Sequence, residues 1–401
     1  MAQHSPAMQA LAAHGPPSRR WRWIVVVVVV VVAVGTGAFL LGRTTTRSSA
    51  SGGGTSGASG GTGGTAVPTT VAPAHPLTLV STTPASRATG VASDSPVQVV
   101  FSSPVSLASV HPTLSPPVAG SWALATPTTA VFHATAPLVP AATETLTVPG
   151  GPTGVRATDG GRLAAPATVT FTVATGSTLR LQQLLATLNY LPLSFTPSGP
   201  APSPVEQASP QPGSFAWRWP GLPANLTSLW TPGVPDQLTK GAVMTFENQN
   251  GLTVDGLPGP SVWSTLLAHA TASTANPAAY NYVLVSKTLP ENLTLYSNGN
   301  PLFTNILVNT GAPGADTVDG TYQVFEHVTS SRMQGTNPDG TTYDDPAVPW
   351  ASFFNGGDAL HGFVRAHYGF PQSNGCVEMP VATAQTLWPY TPIGTLVTIE
   401  G

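Results

Sequence analysis

The chain contains a single cysteine, Cys376, set in the run Ser373-Asn374-Gly375-Cys376-Val377-Glu378-Met379-Pro380. Fifteen positions upstream stands His361, at the head of the densest polar stretch, His361-Gly362-Phe363-Val364-Arg365-Ala366-His367-Tyr368-Gly369. A thiol attacks as its thiolate, and a nearby imidazole is the usual means of drawing the proton from an ordinary pKa of about 8.5. A Ser-Asn-Gly turn ahead of the sulfur would aim backbone N–H groups at an oxyanion forming on the attacked carbonyl. A lone cysteine is more often a small buried hydrophobe. Its setting argues otherwise, because an unpaired thiol is a liability in an oxidising compartment and His327, His361 and His367 all lie within fifty positions of it. The chemistry expected is nucleophilic acyl transfer. His361 and His367 could also be read as a metal pair, but neither a third ligand nor helical spacing accompanies them, so no metal and no cofactor is expected. For His327 and His367 themselves, surface or hydrogen-bonded positions are the simpler expectation.

This segment resembles the catalytic domain of L,D-transpeptidases (YkuD type), whose signature is His-Gly, a gap, then Ser-x-Gly-Cys. The likeness runs upstream through Asn309-Thr310-Gly311, Val318-Asp319-Gly320-Thr321-Tyr322 and Val348-Pro349-Trp350, and covers residues 280–401. The resemblance implies Cys376 as nucleophile and His361 as general base. Ser373, Asn374 and Gly375 would form the turn and the oxyanion hole, and Arg365, Trp350 and Glu378 would contact substrate. It implies peptidoglycan stem peptides as donor and acceptor: Cys376 cuts a tetrapeptide between diaminopimelate and the terminal D-Ala, and an amine of a second stem takes the acyl group to form a 3→3 cross-link. Such an exchange needs no ATP and would serve cell-wall biogenesis and cell shape. Carbapenem acylation of Cys376 is implied in the same way. Two positions depart from the family: Asn374, where His is frequent, and Glu378, where Arg or Asn is common. An acid at Glu378 would repel a stem carboxylate, and Arg365 is expected to supply the missing positive charge. Two alternatives stay open, a hydrolase that passes the acyl group to water and a wall-binding scaffold that has lost activity.

The elements that must position these residues read as strands. Residues 282–286 and 293–296 are apolar runs, and Asn298-Gly299 before Phe303 is a strong hairpin signal. Upstream, Leu181, Leu184, Leu185 and Leu188 recur at helical spacing within residues 179–190. A Pro- and Ser-rich stretch follows at 197–212, then a second helical pattern through Leu238, Ala242, Val243, Phe246 and Glu247. Asp255-Gly256 precedes Gly259-Pro260, where proline suits a first helical turn before Trp263, Leu266 and Leu267. Residues 178–270 thus resemble a small three-helix peptidoglycan-binding module carrying an insertion, with Leu181-Gln182 in its first helix. Residues 75–174 hold short apolar runs at 97–101, 130–132 and 168–173 between Pro and Gly clusters. They read as a β-sandwich similar to bacterial immunoglobulin-like domains and serving as a spacer. The expected fold class is mainly β, or α+β, in several domains.

Composition agrees. Gly 41 and Pro 42 against only 8% charged residues disfavour long surface helices. One cysteine excludes an intrachain disulfide framework. Residues 24–41 are apolar, with eight consecutive valines, flanked by Arg19, Arg20, Arg22, Trp21 and Trp23. They read as an uncleaved single-pass signal anchor with residues 1–23 cytoplasmic, the alternative being a cleaved signal peptide, whose apolar region is normally shorter at about 7–15 residues. Residues 42–74, rich in Gly, Ser and Thr, would be a flexible tether, and the remainder would work outside the cell membrane in the cell-wall space. The first fifty residues hold five arginines and no acid, leaving 17 acids against 9 bases beyond them, so no basic stripe for nucleic acid exists. Nothing in the sequence fixes an oligomeric state.

Overall fold

The computed structural model describes residues 75–401. The expected anchor at 24–41 and the tether lie outside the described residues, among which no helix is long and apolar enough to cross a membrane.

Seven short strands build the first part: β1 (Leu79–Thr83), β2 (Val97–Phe101), β3 (Thr113–Ser115), β4 (Gly120–Thr126), β5 (Thr129–Ala134), β6 (Thr143–Val148) and β7 (Ala167–Thr172). They form two antiparallel sheets, ordered β1-β2-β5-β4 and β3-β6-β7. Alternation decides what lies between them. Val97, Val99 and Phe101 on β2 point inward against Leu146, Val148, Val169 and Phe171 of the other sheet, as the period of two requires.

Next come α1 (Thr178–Thr187), a hairpin of β8 (Leu193–Pro197) and β9 (Gly213–Trp217), a single turn α2 (Ala224–Thr227), α3 (Gln237–Gln249) and α4 (Pro260–Ala272). Local chemistry sets the ends. Ser177 accepts from the Arg180 N–H at the start of α1, Asp236 accepts from the Thr239 N–H (2.6 Å) at the start of α3, and Pro260 opens α4 after Gly259. The insertion read from the sequence only as a Pro- and Ser-rich stretch contains the turn of the β8–β9 hairpin. Phe195 and Phe215 face each other across it with ring centroids 5.1 Å apart.

The last part carries β10 (Asn281–Ser286), β11 (Asn292–Ser297), β12 (Asn300–Leu307), β13 (Gly320–Gln323), β14 (Glu326–Thr336), β15 (Thr342–Asn355), β16 (Asp358–Gly362), β17 (Val377–Met379), α5 (Val381–Leu387) and β18 (Leu396–Glu400). One sheet runs β12-β11-β10-β18-β13 and a second β14-β15-β16-β17. Asn298 and Gly299 both adopt positive φ (49° and 75°), the two-residue turn predicted between β11 and β12.

The central strands β10 and β18 are buried on both faces. Val283, Val285, Val397 and Ile399 face Leu360, Val377 and Met379 of the second sheet, while Tyr282 and Leu396 face Leu238, Phe246 and Trp263 of the helices. The helical part and the β12-β11-β10-β18-β13 sheet therefore share one core, where the sequence had separated modules at 178–270 and 280–401. Polar contacts run along the seam: Gln323 Nε2 donates to the Gln237 carbonyl (3.2 Å) and Thr245 Oγ1 to that of Ile393 (3.4 Å). At the closest approach, a Cβ on Gly241 would meet the Gly394 carbonyl oxygen at 2.7 Å and Leu396 at 3.0 Å. Gly241→Ala should therefore lower unfolding stability in urea by about 1–3 kcal/mol, against the roughly 1 kcal/mol that alanine gains over glycine in a helix interior. A net gain in stability would show that α3 is not seated on the sheet.

Candidate active site

Cys376 and His361 meet through strand pairing. β16 and β17 run parallel with Leu360 opposite Val377, His361 opposite Glu378 and Gly362 opposite Met379. Because side chains alternate, His361 and Glu378 share one face, and Cys376, two positions before Glu378, belongs to that face also. Cys376, His361 and Glu378 accordingly line one open cleft of about 490 Å³, while Val377, Met379 and Leu360 turn to the core.

The motif's small residues each have a steric reason. A Cβ on Gly362 would lie 2.9 Å from the Val381 Cα and 3.2 Å from the Ala384 Cβ, so only glycine lets α5 close against β16 beside His361. Gly375 has φ +104°, and a Cβ there would fall 2.3 Å from Asp358 Oδ1. Ser373 is buried, and its Oγ donates to the Cys376 carbonyl (2.6 Å), closing the turn from within. Asn309-Thr310-Gly311 brackets that turn. The Gln372 and Ser373 N–H groups both donate to the Thr310 carbonyl (2.9 Å each), and Asn309 and Glu378 exchange backbone hydrogen bonds at 2.9 Å each way. Thr317 Oγ1 accepts from the Gly311 N–H (2.9 Å) and donates to the Gly375 carbonyl (2.7 Å). Buried Glu291 holds the bracket in turn, accepting from the Thr310 N–H and hydroxyl at 2.7 Å each. Among the described residues, the N–H groups of Asn374, Gly375 and Cys376 have no hydrogen-bond acceptor. They are available to an oxyanion at the sulfur.

Burial sets the protonation states. The His361 ring is 3% exposed, and desolvation holds its pKa below the ordinary 6.5, with the Gly362 carbonyl and Glu378 pulling the other way. Its Nδ1 lies 3.1 Å from the Gly362 carbonyl, which can only accept, so Nδ1 carries the hydrogen and Nε2 keeps the lone pair. The Cys376 thiol is pushed up to about 12, chiefly by burial and further by the charges of Asp358 and Glu378, against a backbone hydrogen bond from Ala359. The resting pair is therefore a neutral imidazole beside a protonated thiol.

Of the expected substrate contacts, Glu378 and Arg365 line the cleft but are paired with each other, and Trp350 lies outside it. Arg365 is not an unpaired cation: its Nε and Nη2 each donate at 2.7 Å to the two oxygens of Glu378, a bidentate pair that occupies both groups. The acid read as repelling a carboxylate is neutralised by the arginine read as attracting one. Trp350 does not line the cleft. It turns toward Trp388 (centroids 5.6 Å) on the opposite side of His361, in a left-handed backbone conformation with φ +59°. His327 stacks on Trp388 at 3.8 Å, and His367 is exposed. Neither lines the cleft. Sequence reasoning missed Tyr343 and Asp358, both of which do. Burial raises Asp358 to about 6 and keeps the Tyr343 phenol protonated as a possible donor. Thr317 and Glu291 were missed as well; the Asn309-Thr310-Gly311 motif they brace was the only signal.

Residues 280–399 match the family model of the L,D-transpeptidase catalytic domain, and residues 73–173 that of a bacterial Ig-like domain. No curated protein matches the chain. Among solved structures, the chain is similar to an L,D-transpeptidase from Mycobacterium smegmatis: 11% identity, 82% of this chain and 100% of that one, TM-score 0.29. A faropenem-derived adduct of L,D-transpeptidase 3 from Mycobacterium tuberculosis aligns at 13% identity over 80% of this chain and 98% of the other, TM-score 0.28. The catalytic domain of an E. faecium L,D-transpeptidase aligns at 23% identity over 31% of this chain and all of its own, TM-score 0.28.

Thr317→Val keeps the shape of that side chain and strands the buried Gly311 N–H and the Gly375 carbonyl. It should cost about 1–3 kcal/mol of stability in denaturant unfolding. An unchanged midpoint would mean that Thr317 does not hold the nucleophile turn.

Proposed function

We propose that the chain is a cysteine-dependent L,D-transpeptidase of peptidoglycan that forms 3→3 cross-links through a thioester on Cys376. The observation that carries this reading is the common face of β16 and β17, where a half-buried thiol stands beside a buried imidazole whose Nδ1 is committed to a carbonyl. In the first step Nε2 of His361 takes the thiol proton as sulfur attacks the amide carbonyl between diaminopimelate and D-Ala. The N–H groups of residues 374–376 receive the oxyanion. His361 then protonates the departing D-Ala nitrogen, which leaves the thioester. In the second step an amine of another stem attacks the thioester, His361 takes its proton, and the proton returns to sulfur. The Arg365–Glu378 pair lies in the wall of the cleft without an open charge for a stem carboxylate.

Residues 24–41 supply the membrane anchor in this reading and 42–74 the tether, with the Ig-like domain as spacer. Activity then falls in the cell-wall space of a bacterium.

Intact mass of residues 75–401, incubated with a disaccharide-tetrapeptide donor, should show an adduct of the donor minus D-Ala that is absent from Cys376→Ala. Folded protein that gives neither adduct nor released D-Ala would favour an inactive scaffold. An adduct that decays to the free acid even when acceptor stem is present would favour a hydrolase. Because desolvation lowers His361, the base is neutral down into mild acid. The acid limb of the acylation rate should therefore have its midpoint below 6.5, and a midpoint above that value would remove His361 from the role of base.

A further inference from the structure

We infer that Arg365 is a positioning residue: by occupying both oxygens of Glu378, it keeps that buried carboxylate from pairing with His361 and so leaves the imidazole free to serve Cys376. The inference rests on the reading of His361 as the base. The parallel ladder places Glu378 directly opposite His361 with both side chains on the cleft face, and both are nearly out of solvent, at 4% and 3% exposure. A carboxylate with no other partner in such a place would draw a proton onto the neighbouring ring. The resulting imidazolium has no lone pair at Nε2 and cannot accept the thiol proton.

Arg365 prevents this by geometry. The chain turns after β16 so that the Tyr368 hydroxyl donates to the Phe363 carbonyl (2.6 Å) and accepts from the Arg365 N–H (3.2 Å). The guanidinium lies over the Phe363 ring at 4.6 Å and presents its fork to Glu378, whose backbone Asn309 fixes from the other side. Of the other titratable or charged groups lining the cleft, Asp345 from β15 acts on the imidazole in the same sense as Glu378 but more weakly, while Cys376, Tyr343, Asp358 and Arg332 share the cleft without a charge effect on the ring that rivals these. Behind the ring stand Trp350, Ser352, Trp388 and Thr391, which carry no charge. Glu378 and Arg365 are thus the two dominant charges on His361, and they oppose each other.

The test is the protonation midpoint of His361, followed by NMR of its ring carbon in the full chain labelled at histidine and assigned with His361→Gln. Arg365→Gln should raise the midpoint by about one pH unit or more, Glu378→Gln should lower it, and the double variant should return it toward the wild-type value. A role confined to holding the loop would lower thermal stability in both single variants without moving the midpoint. A midpoint unmoved in Arg365→Gln, or still raised in the double variant, overturns the inference. Should Arg365→Gln not fold, Glu378→Gln decides alone, since a midpoint that stays or rises overturns it equally. No substrate enters this measurement, so its failure is distinct from failure of the acyl-transfer reading, which the mass experiment reports.

Discussion

The register of two short parallel strands governs this active site. A slip of one residue between β16 and β17 would turn Cys376 and Glu378 into the core and bring Val377 to the cleft, since strand side chains alternate faces. Three residues of β17 cannot hold a register on ladder hydrogen bonds alone. The surrounding structure supplies what they lack: the bracket of residues 309–311 on one side, α5 seated on Gly362 on the other, and the internal bonds of Ser373 and Thr317 in the turn. Much of the polar text around the cysteine is thus spent on geometry, and under the proposed function only Cys376 and His361 are left to do chemistry.

Burial then decides how that chemistry starts. Enclosure raises the thiol and lowers the imidazole, so each neutral form is favoured before substrate arrives. A preformed thiolate–imidazolium pair would be reactive toward any electrophile in an oxidising compartment. A neutral pair leaves the sulfur less reactive, and under the proposed function it is the arriving carbonyl that draws the thiol proton to His361. The same low-dielectric setting makes the two charges beside His361 consequential, since at a solvent-exposed site their effect would be screened.

Features governed by local pattern were legible in the sequence, and features governed by long-range partners were not. Asn298-Gly299, the inward-facing residues of β2 and the helical spacing of Leu181, Leu184 and Leu185 follow from dihedral preference and periodicity, and each stands where the sequence put it. The His361 and Cys376 pair was readable because both sit in one chain segment with a recognisable spacing. The β14–β15 hairpin was not, because its outer half alternates only between exposed and half-buried positions and carries few apolar residues to mark that alternation, as in Met333-Gln334-Gly335-Thr336. Arg365 and Glu378 are thirteen positions apart, and nothing local says that a loop will fold one onto the other. Trp350 read as a substrate contact because an aromatic beside a motif invites that role; its strained backbone and the Trp388 partner turn it away.

The shared core of helices and sheet bears on how such a protein can change over evolutionary time. The stretch that matches the catalytic family begins at residue 280, yet Tyr282 and Leu396 face the helices and are almost completely enclosed by them. Recombination at that point would transplant a sheet with one apolar face bare, a surface prone to self-association. The folded unit is therefore larger than the stretch that matches the catalytic family model. The Ig-like sandwich ahead of α1 encloses a core of its own and meets the helical core through Val139.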